Sequence, residues 1–334
     1  MSDITKPILG LTLGDAAGVG PEVVVGALAS EDVFQICRPL VLGDVGAIEQ
    51  AIHLINPNLK INVLKPGQEP AGRFGTIDIL PLSRLKSEDL APGQPSLESG
   101  RASAHYIEKA AELALSGQIQ AMVTAPISKI SLNKAGYHYQ GHTEMLAHLA
   151  GDVRVVMMLA GSSLRVVLVT THHALKDVPG LLTVDRIVNT ARITDEALKR
   201  FFGLTKPRLA AAALNPHASE DGLFGHEEKD TIEPAVAKAR SQGLDLQGPF
   251  PADSLFYRAV QGEFDAVVCM YHDQALIPLK LLHFKDGVNV TLGLPFIRTS
   301  ADHGTAYDIA GQGQADPSSM LAALRLAAHM ALQH

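Results

Sequence analysis

The sequence predicts a two-lobed α/β/α sandwich with a mostly parallel sheet. Strand-like and helix-like runs alternate along the whole chain, the pattern of a parallel sheet covered by helices on both faces. At 334 residues the chain is long for one core, and no repeat, low-complexity tract or obvious linker separates sequential beads. Two lobes therefore imply crossings, expected near 126 and near 295. They would give lobe 1 as residues 1–126 plus 296–334, and lobe 2 as 127–295.

The elements follow in order. ILGLTLG (8–14) is short, continuous and apolar, which reads as a buried strand, and a helix opens at Pro21, a residue favoured in the first turn. PLVLGD (39–44) is a strand before a helix over roughly 45–54, and TIDILPL (76–82) leads into a polar, proline-containing loop at 83–96. Ala104, Ile107, Ala111, Ala114 and Leu115 recur at helical spacing within 98–117, with Gly117 as a stop. IQAMVTA (119–125), VRVVMMLA (153–160) and LRVVLVTT (164–171) are strands, and 184–203 is a second long helix. RLAAAALN (208–215), DAVVCMY (265–271) and VNVTLG (288–293) are further strands, and 317–332 is a closing helix rich in Ala and Leu.

The composition narrows the function classes. Apolar residues make up 46% and mean hydropathy is +0.13, enough for a large core and unlike a disordered chain. Net charge is −7 with no run of like charges, which argues against nucleic acid or an anionic membrane as partner. Few aromatics and no Trp make a base-stacking platform unexpected. No apolar run nears the roughly 18 residues of a membrane span, MSDITKP lacks the marks of a signal segment, and Cys37 and Cys269 in apolar stretches read as reduced core residues of a cytoplasmic protein.

The chemistry concentrates at strand ends. YHDQALIPLK (271–280) puts His272, Asp273 and Lys280 just past an apolar run, where open α/β sheets place their ligands. His172 and His217 stand at the same position after two other strands. Three imidazoles delivered by one sheet are suited to a zinc-like ion and leave coordination positions open, although strand-end histidines are also ordinary hydrogen-bonding residues. Lys280 and Arg298 are two cations suited to a phosphate or carboxylate, Arg298 by bidentate contact, unless both are solvated. GDAAGVGPE (14–22) spells neither the Rossmann nor the P-loop fingerprint, so it is either a tight turn or backbone N–H groups offered to an anion. His142 and Thr143 in GHTE open a helix, Asp253 in PADSLF is an expected N-cap, and His303-Gly304-Thr305-Ala306 precedes an expected short helix.

Taken together, GDAAGVGPE, TAPISK (124–129), GHTE, VTTHHALKDVP (169–179), LNPHASEDGLFGHEE (214–228), PADSLF, YHDQALIPLK and VNVTLGLPFIRTSADHGTA (288–306) resemble the 4-hydroxythreonine-4-phosphate dehydrogenase family, in the same order and over residues 8 to 330. The tail HGTAYDIAGQGQADP (303–317) is similar to the nucleotide segment of isopropylmalate and isocitrate dehydrogenases, which implies that fold class. The resemblance implies NAD- or NADP-dependent, divalent-metal-dependent (Zn, Mg or Co) oxidation and decarboxylation of 4-phosphohydroxy-L-threonine to 3-amino-2-oxopropyl phosphate, in vitamin B6 biosynthesis. It puts metal ligands on His172, His217 and His272, and substrate contacts on His142, Thr143, Lys280, Asn289 and Arg298. Cofactor contacts fall on Gly304, Thr305, Ala306 and Asp308; Asp253, Asp273 and Lys280 are left as candidates for proton transfer or ligand orientation. His173 has no assigned role. A homodimer is implied, with sites at the interface and in the cleft between lobes. Ala16 stands where the family usually has Pro and Ser219 where Gly is usual, which keeps D-threonate or D-erythronate 4-phosphate open as substrate. A cis-dihydrodiol carboxylate dehydrogenase, a metal-dependent sugar-phosphate lyase or isomerase, and a non-enzymatic sugar-phosphate binding protein are the remaining alternatives.

Overall fold

The structure, a computed structural model, describes residues 6–333. Met1–Thr5, on which part of the amino-terminal reading rests, lie outside the described residues. The chain divides into two compact units. One comprises the described residues up to Arg154 together with Leu294–Leu332, and the other Val155–Gly293 with Gln333.

The first unit runs β1 (Ile8–Thr12), α1 (Gly20–Leu28), α2 (Glu31–Ile36), β2 (Arg38–Asp44), α3 (Val45–Ile55), β3 (Lys60–Val63), β4 (Thr76–Ser83), α4 (Leu97–Leu115), β5 (Ala121–Thr124), α5 (Lys129–Lys134) and α6 (His142–Leu149). Its strands pair in the order β3-β4-β2-β1-β5, all parallel, and β12 (Ile297–Ala301) adds to β5, followed by α12 (Ser318–Gln333). Local chemistry sets the boundaries. Ser96 and Ser99 form a reciprocal capping box at the start of α4, and the Asp44 carboxylate accepts from Ala47 N to begin α3.

The second unit runs β6 (Val156–Ala160), β7 (Arg165–Leu168), α7 (Val178–Leu181), α8 (Val184–Phe202), β8 (Leu209–Ala212), α9 (Glu233–Ser241), β9 (Leu246–Phe250), α10 (Ala252–Val260), β10 (Ala266–Cys269), α11 (His272–His283) and β11 (Val288–Leu292). Its order is β11-β6-β7-β10-β8-β9; β6 is antiparallel to both neighbours and the rest are parallel. Thr183 caps α8, and Gly203 ends it at φ 68°, the left-handed conformation glycine adopts without steric cost. The core is one apolar cluster that includes Leu159, Val166, Leu168, Ala210, Val267, Leu255 and Leu279.

The mostly parallel α/β architecture is as expected; several local features are not. The first crossing falls at 154/155 rather than near 126, because α5 and α6 pack on α4. That approach is close enough that a Cβ on Gly100 would lie 2.3 Å from the Ser131 carbonyl. Residues 307–313 form turns instead of a short helix. Pro251 occupies the N-cap of α10, so Asp253 is a first-turn residue and caps nothing. Arg298 lies inside a strand, β12, and YHDQALIPLK is a helix with Pro278 within it. Among the described residues, no helix is long and apolar enough to cross a membrane.

Candidate active site

In the second unit, β7, β10 and β8 lie side by side and parallel, so their following residues all emerge at one edge of the sheet. His172, His272 and His217 follow these three strands in turn. The rings of His172 and His272 have centroids 5.4 Å apart. Metal–nitrogen bonds of about 2.0–2.1 Å would hold two imidazole centres on the order of 5 Å apart, so this pair fits a shared ion. His272 Nδ1 lies 2.7 Å from Asp273 Oδ1, a contact that orients the ring and leaves Nε2 as the nitrogen open to a ligand. His217 is less closely engaged: its ring is 6.4 Å from that of Phe224, and among the described residues no three His, Cys, Asp or Glu side chains gather closely enough to hold an ion. The donor chemistry fits a borderline divalent metal, while the third donor is not gathered with the other two.

The strand ends are tied by side chains that sequence reading missed. Thr170 Oγ1 donates to Met270 O at 2.7 Å, joining the end of β7 to that of β10. Buried Gln274 accepts from Met270 N at 2.7 Å and donates to Ala213 O at 2.6 Å, joining β10 to β8. His217 sits in an unusual run in which 217–221 all have positive φ, from 46° to 66°. Glu228, fully buried, holds the base of that loop by accepting from Leu214 N, Asn215 N and Asn215 Nδ2. Of the other expected residues in this unit, Asn289 on β11 has a buried Oδ1 without a hydrogen-bond partner among the described residues. Lys280 on α11 is half-buried, with Nζ 5.9 Å from the Phe284 ring centre; Asp253 and His173 are exposed.

The first unit carries the buried cation. Arg298 is 3% exposed on β12, and its Nη2 donates to Thr124 Oγ1 at 2.8 Å on the adjoining β5. Burial pushes its pKa down to about 10, against the opposing pull of the Glu144 carboxylate. His142, at the start of α6, has its Nε2 buried without a hydrogen-bond partner among the described residues. Burial first, and then the Arg298 cation, hold His142 well below the usual imidazole range, so it is neutral. Thr143, next on α6, is half-buried. A buried cation beside a neutral imidazole with an open nitrogen is an environment that an anion would stabilise.

Several N–H groups of the glycine-rich turn at 14–22 are engaged within the protein. Gly18 N donates to Asp15 O and Val19 N to Thr305 O. The turn also packs against 303–313: the Tyr307 hydroxyl donates to Asp15 Oδ2, and Glu22 accepts from Gly311 N and Gly313 N. Burial raises the Tyr307 hydroxyl to about 12. A Cβ added at Gly304 would meet nothing within 4 Å, and Asp308 is exposed. Cys37 and Cys269 are buried free thiols, and burial raises both, Cys37 to about 12, so they remain protonated and inert.

A mostly parallel α/β protein with its polar side chains collected at the carboxyl ends of strands is the class these features define. Over residues 35–327 the chain matches the family described as pyridoxal phosphate biosynthetic protein PdxA, and it belongs to that family. It is 54% identical over 327 residues to 4-hydroxythreonine-4-phosphate dehydrogenase of Geobacter metallireducens, covering 98% of this chain and 96% of that protein. It is 47% identical to D-threonate 4-phosphate dehydrogenase of Cupriavidus necator, covering 99% of each. The crystal structure of a 4-hydroxythreonine-4-phosphate dehydrogenase from Burkholderia phymatum superposes with a TM-score of 0.87 at 48% identity, covering 97% of this chain and 98% of that one.

Proposed function

We propose that this protein uses NAD⁺ to oxidise 4-phosphohydroxy-L-threonine, with loss of CO₂, to 3-amino-2-oxopropyl phosphate on the route to pyridoxal phosphate, in the cytoplasm. The observation that carries the reading is the buried Arg298 beside neutral His142. A phosphorylated acid is an anion suited to a buried guanidinium beside a neutral imidazole. Arg298 forks onto the phosphate or carboxylate, with Thr124 holding the guanidinium, while His142 Nε2 and Thr143 complete the contacts. Asn289 and Lys280 are assigned to the same substrate.

The reaction sends a hydride from the secondary alcohol carbon to the nicotinamide and the hydroxyl proton to a base. The C–CO₂ bond of the resulting β-keto acid then breaks, and its electron pair is taken up as an enolate that is protonated. Asp273 orients His272, and Lys280 and Asp253 are the remaining proton-transfer candidates. His172, His217 and His272 would hold a divalent ion (Zn, Mg or Co), whose Lewis acidity lowers the pKa of a bound hydroxyl. His217 standing apart from the other two within one chain fits a site completed by a second copy of the chain. Exposed apolar residues on α11 and at its C-cap, Ile277 at 67%, Leu281 at 83% and Phe284 at 79%, are a surface for such a homodimer. The coenzyme is assigned to Gly304, Thr305, Ala306 and Asp308, where Gly304 leaves open space.

The second reading, a D-threonate 4-phosphate dehydrogenase, is favoured by the Cupriavidus relative and by Ser219. That residue adopts φ 66°, where the family usually has Gly, and so marks a departure in the loop carrying His217. NADH absorbance and CO₂ release with 4-phosphohydroxy-L-threonine and with D-threonate 4-phosphate decide between them. Faster turnover of the threonate ester would move the protein to the second reading. Equal loss of NADH and CO₂ on chelation, with recovery on adding metal, is expected; unchanged rates after chelation would remove the metal.

A further inference from the structure

We infer that the glycine-rich turn acts as a clasp that pre-shapes the coenzyme loop, with Glu22 and Tyr307 as its positioning residues. This rests on the proposed assignment of the nicotinamide coenzyme to 303–308. Three of the turn's N–H groups are already engaged within the protein: Gly18 N on Asp15 O, Val19 N on Thr305 O, and Ala17 N on Asp15 Oδ1. Each of its buried carboxylates faces the 303–313 segment. Asp15, 0% exposed, accepts the Tyr307 hydroxyl at 2.7 Å. Glu22, 3% exposed, receives Gly311 N at 2.6 Å on one oxygen and Gly313 N at 2.8 Å on the other.

The backbone of this segment needs such support. Ala306 is held at φ 40°, a left-handed conformation that a non-glycine residue seldom samples, while Gly311 and Gly313, at 78° and 66°, are free to take many other backbone conformations and so lose the most freedom when the loop is fixed. The fit is also close: a Cβ on Gly18 would lie 2.9 Å from Thr305 O, and one on Gly311 would lie 2.5 Å from Pro92. Charge-assisted bonds to buried carboxylates are the stronger class of hydrogen bond and suit a rigid clasp. A loop already in its bound shape avoids the ordering cost of binding, so the clasp sets coenzyme affinity without touching the coenzyme.

The test compares wild type, Glu22→Gln and Tyr307→Phe by amide hydrogen exchange and by NAD⁺ titration. Glu22→Gln leaves one of two backbone N–H groups without its acceptor; Tyr307→Phe keeps the ring and removes one donor. Both variants should exchange faster at 305–313, keep wild-type exchange in β7 and β10, and bind NAD⁺ about tenfold more weakly, in line with the loss of one hydrogen bond to a charged group. The phosphorylated substrate's KM should stay within about twofold, a split that general destabilisation would not produce. Faster loop exchange with unchanged NAD⁺ affinity in either variant overturns the clasp. If NAD⁺ fails to protect 303–313 in the wild type, the coenzyme assignment itself is wrong. Should Glu22→Gln not fold, Tyr307→Phe alone decides.

Discussion

At the scale of single residues, Arg298 and His142 are the pair on which the proposed anion site of the first unit rests. Arg298→Lys keeps the charge but loses the fork and the bond to Thr124, so the substrate KM should rise on the order of tenfold, read by initial rates. An unchanged KM would place the anion elsewhere. His142 ties stability to pH. Its folded-state pKa lies below its unfolded value, so below about pH 6.5 the unfolded chain takes up a proton that the folded one refuses. Folding stability from this group is therefore present above that pH and is lost as pH falls toward the folded pKa. The thermal midpoint should drop between about pH 7 and 5, and His142→Asn should flatten that drop; a parallel pH profile in the variant would assign it to other groups. His142 was legible in the sequence as a helix-start residue, but its neutrality was not, because neutrality depends on burial next to a cation 156 positions away in the chain by residue number.

At the scale of elements, the three histidine-bearing strands were readable from their apolar runs, while the side chains that hold their ends together were not. Gln274 looks like an ordinary helical residue in YHDQALIPLK, yet it bonds both Met270 N and, 61 residues away from it in the chain, Ala213 O. Gln274→Leu would bury that N–H and C=O without partners and should lower the unfolding free energy by about 2–4 kcal/mol in urea titration. A loss near zero would show that the bridge is replaceable. The α11 helix itself was missed because Pro278 breaks the usual helical signal; the tertiary packing of Ala275 and Leu279 into the core overrides it. Asp253 fails as an N-cap for a related reason, since Pro251 starts the helix two residues earlier.

At the scale of the whole molecule, the proposed homodimer is the feature with the clearest test. Leu281→Asp on α11 should convert the protein to monomer in sedimentation at micromolar concentration and reduce turnover, while leaving the fold intact by circular dichroism. A dimer that survives the change would put the interface on another face. The sequence by itself determined the alternation of strands and helices, hence a mostly parallel α/β fold, and its motifs placed the chain in a family. These signals are local: apolar period, capping residues and ordered short motifs are complete within a few turns of chain. Only the tertiary structure decided which side chains meet. Arg298 reaches Thr124 across 174 residues and Tyr307 reaches Asp15 across 292, and each pairing depends on how distant segments lie against one another. No periodicity encodes that. It is settled when burial leaves each polar group one place to find its partner.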